Sequence, residues 1–527
     1  MLADTFLDVY APAGIGDDLS YRRGPRPAKL ARGLLIALLA GVLAGTAIML
    51  QVEAWHALAS ESGGACGTSD QGISYGACPR GITPALILSF VVGLPAVGIA
   101  VAVLFRRGWA RRGVLAVAVA AGLFAGQSLW AAWHGTDLST AWAAPYDTAS
   151  DLSTVGVWTT ADSVVRIRVD EVVSYAAATG RQQWALQVPG TDVACSASTT
   201  PATGPGTSIG LVAYGADAST CDHVMAVDLA TGRQLWSAQV ADPYSGNDAT
   251  GALAVAGRAA VILTADGITG VNASSGAQDW TLAPPRDCAF QQLASSTGSS
   301  SQAAVVALAA CDSSYYVVRI DPATGKQAWQ AQVSEPSASY QFQILSADPV
   351  VVSDDIPGPR GTSVARVFSA DGRLTSQFSV AGSIVAGTPS ALDTASNQGF
   401  GVPVVVTAGL LIGVTSETSS GRCAIVAYQL ASGQRRWLVD TPDPVHDVAL
   451  DGSELSLIDE SDPALSLEEI SVATGTLHSL GYFPEGNIEP ADSALYVVGG
   501  DYLVVNLNGV SPMPPVAAIM TPSMMRG

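Results

Sequence analysis

The chain has 527 residues, of which 13% are charged and 48% hydrophobic, and its formal net charge is −20 at pH 7. This length exceeds one ordinary domain, and the charged fraction is about half of the usual quarter, so part of the chain is suited to lipid. The residues after Arg112 include 15 basic and 38 acidic ones, and this excess of negative charge disfavours nucleic acid and anionic lipid as direct ligands. Solubility alone would also explain it.

Residues 1–28 are polar and contain several prolines and glycines, which predicts a flexible cytoplasmic tail. Three uncharged runs follow within residues 29–134, at about 33–52, 82–105 and 113–133. Each is long enough to cross a bilayer as a helix, so the sequence predicts three transmembrane helices.

Basic residues set the predicted orientation of these helices. Arginines precede the first run, and Arg106, Arg107, Arg111 and Arg112 lie between the second and the third. The positive-inside rule then predicts a multi-pass plasma-membrane protein whose N-terminus is cytoplasmic and whose chain after Trp133 is extracytoplasmic. No ionisable residue lies inside the runs, which favours an anchor over a transporter.

Small residues in two of the runs predict close helix packing. Gly41 and Gly45 lie four apart in the first run, as do Gly122 and Gly126 in the third, and this spacing lets two helix backbones approach. The helices could pack on each other within one chain, or they could join copies in a homo-oligomer.

The cysteines predict an oxidising compartment. Three local pairs are expected as disulfides, with reduced buried thiols as the alternative for the last two pairs. The pairs are Cys66 with Cys78, Cys195 with Cys221, and Cys288 with Cys311. Cys423 is left over.

A polar stretch at 135–153 is expected to be a linker, and after it a short phrase recurs every 42 to 61 residues. A turn glycine is followed four positions later by a tryptophan in five copies: Gly180 and Trp184, Gly232 and Trp236, Gly276 and Trp280, Gly325 and Trp329, Gly433 and Trp437. Two weaker copies, at Gly372 and Gly475, have Ser376 and Ser479 in place of the tryptophan. A period of this length indicates a propeller or a solenoid, and we interpret the tryptophans as packing devices at the seam between units.

This phrase resembles the repeat of the pyrroloquinoline-quinone (PQQ) type β-propellers. That family includes quinoprotein alcohol and glucose dehydrogenases and the non-catalytic propellers of cell-envelope assembly. The resemblance implies a propeller, here of seven or eight blades over residues 154–511. With the three predicted helices before it, the expected fold is a membrane-anchored all-β protein whose propeller is extracytoplasmic. Eight is favoured, because a further hairpin follows the seventh glycine; its outer strand would be degenerate or supplied by a terminus. Residues 512–527 are expected to be a flexible tail.

No catalytic or metal-binding residue is predicted. The five histidines are scattered, no hydrolase or nucleotide-binding motif occurs, and the acidic pairs Asp354–Asp355 and Asp459–Glu460 do not match a calcium-loop template. The favoured hypothesis is a non-catalytic scaffold or assembly factor without a cofactor, which binds an envelope or membrane protein through its blade loops.

Two alternatives remain open. The first is a PQQ-dependent membrane dehydrogenase, for which the resemblance implies a quinone with calcium. Against it, the chain has no adjacent cysteines, has lysine only at positions 29 and 326, and has little length for loops that cover a quinone. The second is a ligand-sensing propeller that signals through a membrane partner.

Overall fold

The structure is a computed structural model. It describes residues 27–61, 81–105, 109–136, 138–146, 152–204, 207–217, 220–240, 251–296, 303–312, 314–334, 341–355, 363–380, 404–407, 409–417, 422–441, 445–461, 464–484, 493–507 and 513–520. Within these residues the chain forms two compact units, a helical one up to His134 and one built of strands from Gly135 onward. Most of the predicted N-terminal tail, and both Cys66 and Cys78, lie outside the described residues.

The helical unit contains four helices in the described residues: α1 (Pro27–Glu61), α2 (Ile82–Val91), α3 (Gly93–Phe105) and α4 (Trp109–His134). Two of them, α1 over Ala31–Ala59 and α4, are long and apolar enough to cross a membrane. The prediction of three single-helix spans is therefore wrong for the second run. Residues 82–105 form α2 and α3, bent by 42°, and only if this pair is one span does the count reach three.

Pro95 explains the break. Proline lacks an N–H, and its ring excludes the carbonyl of the residue four positions earlier. That residue is Val91, where α2 ends. The run is thus separated into two helices at this point.

The glycines of α1 and α4 pack against each other. A Cβ atom on Gly45 would lie 2.3 Å from the carbonyl oxygen of Val119, and one on Gly122 would lie 2.2 Å from that of Val42. The hydroxyl of Thr46 donates a hydrogen bond to the Gly122 carbonyl at 3.1 Å. Only glycine lets the two backbones approach this closely.

This packing matches the other alternative, in which the helices pack on each other within one chain. The surfaces that would have joined two copies are occupied within one chain, Gly41 against Ala118, Gly45 against Gly122 and Gly126 against Met49.

In the described residues the strand unit consists of eight antiparallel sheets, the blades of a propeller, of which seven have four strands and one has five. Its first strand, β1 (Ser139–Ala143), belongs to the last blade. Blade 1 contains β2 (Thr154–Thr159), β3 (Ser163–Arg168), β4 (Glu171–Ala176) and β5 (Gln182–Gln187). Blade 2 contains β6 (Val193–Ala197), β8 (Thr207–Gly215), β9 (His223–Asp228) and β10 (Arg233–Gln239), and the short β7 (Ala202–Gly204) pairs with β8. Blade 3 contains β11 (Leu253–Ala256), β12 (Ala259–Thr264), β13 (Gly267–Asn272) and β14 (Gln278–Leu282). Blade 4 contains β15 (Cys288–Ser295), β16 (Val305–Cys311), β17 (Ser314–Ile320) and β18 (Gln327–Ser334).

The remaining blades follow the same order. Blade 5 contains β19 (Gln341–Ala347), β20 (Val350–Asp355), β21 (Ser363–Phe368) and β22 (Leu374–Val380). Blade 6 contains β23 (Val404–Thr407), β24 (Leu410–Glu417), β25 (Arg422–Gln429) and β26 (Arg435–Thr441). Blade 7 contains β27 (Val445–Asp451), β28 (Glu454–Ser461), β29 (Ala464–Ser471) and β30 (Leu477–Pro484). Blade 8 contains β31 (Ser493–Val498), β32 (Asp501–Asn506), β33 (Val516–Met520) and, as its outer strand, β1.

Burial follows from this arrangement. Each blade lies between two others, so its central strands are buried on both faces and read as apolar runs instead of alternating ones. In β12, Val261 and Leu263 pack with blade 4, while Ala260 and Ile262 pack with blade 2. The outer strand β14 is mostly exposed. The core is thus a set of apolar layers between neighbouring blades.

The structure confirms eight blades and corrects the predicted linker and tail. Strand β1 lies in the predicted linker 135–153, strand β33 lies in the predicted tail 512–527, and the two pair antiparallel. Pairing between the two ends of the strand unit closes the ring and protects the last sheet edge.

Candidate interaction face

The repeated tryptophans lie at the seams between blades. The ring of Trp184 covers Gly232 of the next blade so closely that a Cβ there would lie 2.3 Å from a ring carbon. Its indole N–H donates to the Leu229 carbonyl at 3.1 Å. The same pairing of ring over glycine joins Trp236 to Gly276, Trp280 to Gly325, Trp329 to Gly372 and Trp437 to Gly475. We call each such pair a seam lock.

Two further seam locks were missed from the sequence. Trp142 of β1 covers Gly180, where a Cβ would lie 2.1 Å from its ring. Between blades 5 and 6, two residues make the contacts that a tryptophan makes elsewhere. The hydroxyl of Ser376 donates to the Leu430 carbonyl, and the ring of Phe378 covers Gly433. An aromatic residue two positions after Ser376 was the available signal.

The turn before each seam lock explains the other residues of the repeated phrase, the aspartate, the threonine and the glycine. Asp228 accepts hydrogen bonds from the backbone of Ala230 at 3.1 Å and from the hydroxyl of Thr231 at 2.6 Å. Gly232 has a φ of 69°, which a side chain would resist. Because every element of the phrase serves the turn or the seam, the motif explains the framework and leaves binding to other residues.

The two ends of the ring differ in charge. In a four-stranded antiparallel blade, the connections between strands one and two and between three and four lie at one end, which holds the glycine turns; we call it the turn end. The connections between strands two and three and between blades lie at the other, the loop end. Described connecting residues at the turn end include four acidic residues and four basic ones: Asp162, Asp321, Asp348, Asp371, Arg181, Arg258, Lys326 and Arg373. At the loop end they include seven acidic residues and one basic one: Asp170, Asp192, Asp217, Asp222, Asp266, Asp287, Asp312 and Arg286.

Both disulfides of the described residues also lie at the loop end. Cys195 is joined to Cys221 and Cys288 to Cys311. The first links the inner strand of blade 2 to the connection between its second and third strands, and the second links the inner strand of blade 4 to the end of its second strand. The loop ends of blades 2 and 4 are therefore cross-linked. Cys423 lies in β25, opposite Ser416 and Thr441.

Some loop-end charges are already paired. Arg168 is buried and binds Asp170 at 2.7 Å and Glu171 at 2.7 Å. Asp222 contacts the imidazole of His223 at 2.8 Å. The aspartates at 192, 266, 287 and 312 extend the acidic surface across blades 1 to 4.

The two acidic pairs considered for calcium lie in strands of two different blades. Asp354 and Asp355 end β20, and Asp459 is buried in β28, where Ser466 donates to it. Among the described residues, no group of three or more His, Cys, Asp or Glu side chains is placed to hold a metal ion.

A buried carboxyl with a raised pKa lies between blades 7 and 8. Asp447 of β27 is buried, and it accepts hydrogen bonds from the backbone N–H groups of Leu495 at 2.7 Å and Val448 at 2.8 Å. Burial raises its pKa to about 7, although the two N–H donors oppose the shift. No local sequence pattern pointed to this residue, because nothing near position 447 shows that it faces another blade.

Comparison with known proteins identifies the family to which the repeat is similar. The family model PQQ_2, described as outer membrane protein assembly factor BamB, matches residues 113–289 and 168–437. Among solved structures, BamB from Moraxella catarrhalis is 15% identical with a TM-score of 0.42, and the match covers 72% of this chain and 99% of that one. Sqt1 from Saccharomyces cerevisiae is 12% identical with a TM-score of 0.47, covering 73% of this chain and 99% of that one. No curated protein sequence matches the chain.

Proposed function

Because this chain belongs to the PQQ_2 family of outer membrane protein assembly factor BamB, we propose that it is a membrane-anchored, non-catalytic scaffold that binds a protein partner in the cell envelope. The observation that carries the proposal is the charge difference between the two ends of the ring. The turn end is balanced and its motif residues serve the framework, whereas the loop end is acidic and holds the connections that vary between blades. Loops placed by a rigid framework are where binding surfaces usually lie.

The helical unit supports membrane anchoring through its packing. Its large apolar side chains point outward, among them Leu35, Leu39, Leu43, Phe90, Leu94, Phe105 and Phe124. Its buried positions are mostly small, among them Ala37, Ala40, Ala44, Ala47, Ala85, Ala96, Ala100 and Ala118. A bundle in water would bury the large residues, whereas a bundle in lipid packs through small ones and exposes the rest.

The orientation follows from charge and cysteine chemistry. Arginines flank the start of α1 and the connection before α4, which supports a cytoplasmic location for both. The strand unit then lies outside the cytoplasm, where the two disulfides of its loop end persist.

The chemistry of the loop end indicates the kind of partner. A surface with seven aspartates and one arginine among its described connections attracts a basic protein segment and repels acidic ones. We therefore expect binding that weakens as salt is raised.

Site-specific photo-crosslinking in intact membranes tests this function. A crosslinking residue is placed at Asp266, Asp287 or Asp312 of the loop end and, as matched controls, at Arg181, Ser275 or Lys326 of the turn end; all six are exposed. We expect one envelope protein to be captured from the loop end only. Equal capture from both ends would contradict the proposal.

A calorimetric titration of the full chain in detergent with PQQ and calcium tests the dehydrogenase. We expect no heat at high micromolar cofactor. Tight saturable binding followed by dye reduction with sugars or alcohols would replace the scaffold with the enzyme.

A further inference from the structure

One side of helix α4 takes no part in the packing of the helical unit. The buried residues of α4 are Leu115, Ala118, Gly122, Gly126, Trp130 and His134. Of these, Gly122 and Gly126 meet α1. The opposite side is exposed, and on it Val117 and Phe124 keep 71% and 74% of their surface. In a membrane this side is covered either by lipid or by another helix.

The exposed side of α4 carries a heptad pattern. Six exposed residues follow one another at alternating steps of four and three positions: Gly113, Val117, Ala120, Phe124, Gln127 and Ala131. We call these six residues the outer stripe. Such steps place residues along the line at which two helices cross at about 20°. A Cβ on Gly113 would meet nothing within 4 Å, so a second helix has room to approach.

Gln127 is the polar member of the outer stripe, and it lies within the membrane-crossing part of α4. It is exposed and comes seven residues before the end of the helix at His134, which is about 10 Å along the axis. About 20 residues cross a hydrocarbon core, and counted from Arg112 this length includes position 127. The amide of Gln127 therefore faces lipid unless another helix covers it. A carboxamide in hydrocarbon is costly without hydrogen bonds.

The helix itself satisfies a hydroxyl at the next position but does not satisfy this amide. The hydroxyl of Ser128 donates to the Phe124 carbonyl at 3.0 Å. The amide oxygen of Gln127 needs a donor instead, and the N–H groups inside a helix already donate to helix carbonyls. The donor for Gln127 must therefore come from outside α4.

A second copy of the chain offers that donor at the correct depth. Basic residues orient all copies in the same direction, so α4 helices of two copies run parallel and their Gln127 residues lie at equal depth. A carboxamide both donates and accepts, so two of them can exchange hydrogen bonds across a twofold axis. One polar residue in a heptad stripe also fixes the register and the number of helices.

We propose that two copies of this chain pair in the membrane through the outer stripes of α4, with the Gln127 amides bonded to each other. The glycines of α1 and α4 hold one helical unit together, and the outer stripe joins two such units. This pairing rests on the membrane anchoring proposed above, and it is independent of what the loop end binds.

Energy transfer between full chains labelled with donor and acceptor fluorophores measures the pairing in liposomes, at a series of protein-to-lipid ratios. Gln127→Leu removes the amide and keeps an apolar side chain, so we expect the association constant to fall about 3- to 30-fold. Gln127→Asn keeps a carboxamide and should pair like the wild type. Equal pairing of the wild type and Gln127→Leu overturns the proposal, as does a monomeric wild type at every ratio.

A second pair of variants tests the stripe without changing Gln127. Ala120→Phe adds bulk within the outer stripe and should weaken pairing. Ala125→Phe adds the same bulk at an exposed position of α4 outside the stripe, and it should leave pairing unchanged. Similar effects of the two variants would refute this interface.

Photo-crosslinking in intact membranes shows which molecule covers the stripe. A crosslinking residue at Val117 or Ala131 should yield a dimer of the chain, whereas one at Ala125 should not. Capture of a different membrane protein from Val117 in place of the dimer contradicts the proposal. A chain found in the soluble fraction would refute the anchoring as well, whereas a membrane-bound monomer refutes the pairing alone.

Discussion

At the scale of single residues, the seam locks carry two separable contributions. Trp236 is buried, its ring covers Gly276, and its indole N–H donates to the Ala273 carbonyl at 2.7 Å. Trp236→Ala should lower the free energy of unfolding by about 3 to 5 kcal/mol through lost packing. Trp236→Phe keeps a ring and should lose only about 1 kcal/mol with the hydrogen bond. Denaturant titration measures both, and equal losses would contradict this division.

Asp447 makes stability depend on pH. Its pKa is about 7 in the folded state and 3.8 in the unfolded one, so the folded state binds the proton more tightly. The contribution to stability is fully present below about pH 4 and is lost as pH rises to about 7. The loss is of the order of 4 kcal/mol.

Asp447→Asn should therefore gain stability relative to the wild type as pH rises, with little difference near pH 4. Thermal unfolding across this range measures the gain, since groups common to both proteins cancel. A constant difference between the two proteins would show that the carboxyl does not ionise in the fold.

The sequence predicted residues whose role is local. In each full copy of the phrase the tryptophan comes four positions after the glycine, so the pattern can be recognised in the sequence. Ser376 with Phe378 was missed as a lock, because two side chains perform what one tryptophan does elsewhere. Asp447 was missed because its partner, Leu495, is 48 positions away.

At the scale of elements, close helix packing rests on particular glycines. A Cβ on Gly122 would meet the Val42 carbonyl at 2.2 Å, whereas one on Gly98 would meet nothing within 4 Å. Gly122→Leu should force α1 and α4 apart and lower the melting temperature of the helical unit in detergent. Gly98→Leu is the matched control and should leave it unchanged. Similar effects of the two would mean that α1 and α4 do not pack this way.

Helices and strands were predicted well where a segment had both the residue pattern and the length of one such element, and poorly where it had only one of the two. Apolar length identified residues 82–105 but could not show that Pro95 divides them. Strand β1 was interpreted as linker because five residues between polar stretches carry little periodicity. Its strand conformation depends on β33, and no local signal reports a partner at the far end of the unit.

At the scale of the whole molecule, the ring depends on its first strand. A fragment of residues 135–527 keeps β1, and one of residues 147–527 lacks it. The shorter fragment should melt lower by about 10 °C or more, because β33 is left as an open edge and Gly180 loses the ring of Trp142. Differential scanning calorimetry measures the difference. Trp142→Ala in the longer fragment should give an intermediate value, and equal melting of the two fragments would contradict closure by β1.

The number of blades was predictable and the manner of closure was not. Seven copies of the phrase and one extra hairpin predicted eight blades, because each blade carries its own recognisable sequence pattern. Closure joins Thr140 to Ile519, and such a contact follows only from the geometry of the finished circle. The acidic loop end was equally hidden, because its aspartates come together only when the blades are arranged side by side.

The position of strand β1 in the chain also determines when the propeller can close during biosynthesis. Ser139 and Met520, which touch across the closing pair, are 381 positions apart. At about 5 to 20 residues per second, the ribosome needs roughly 20 to 80 s to make the second after the first. Throughout this interval the first strand of the ring has no partner, and its tryptophan is open to non-native contacts. Completion of the propeller must therefore follow translation, and a chaperone that shields a waiting strand would increase its yield.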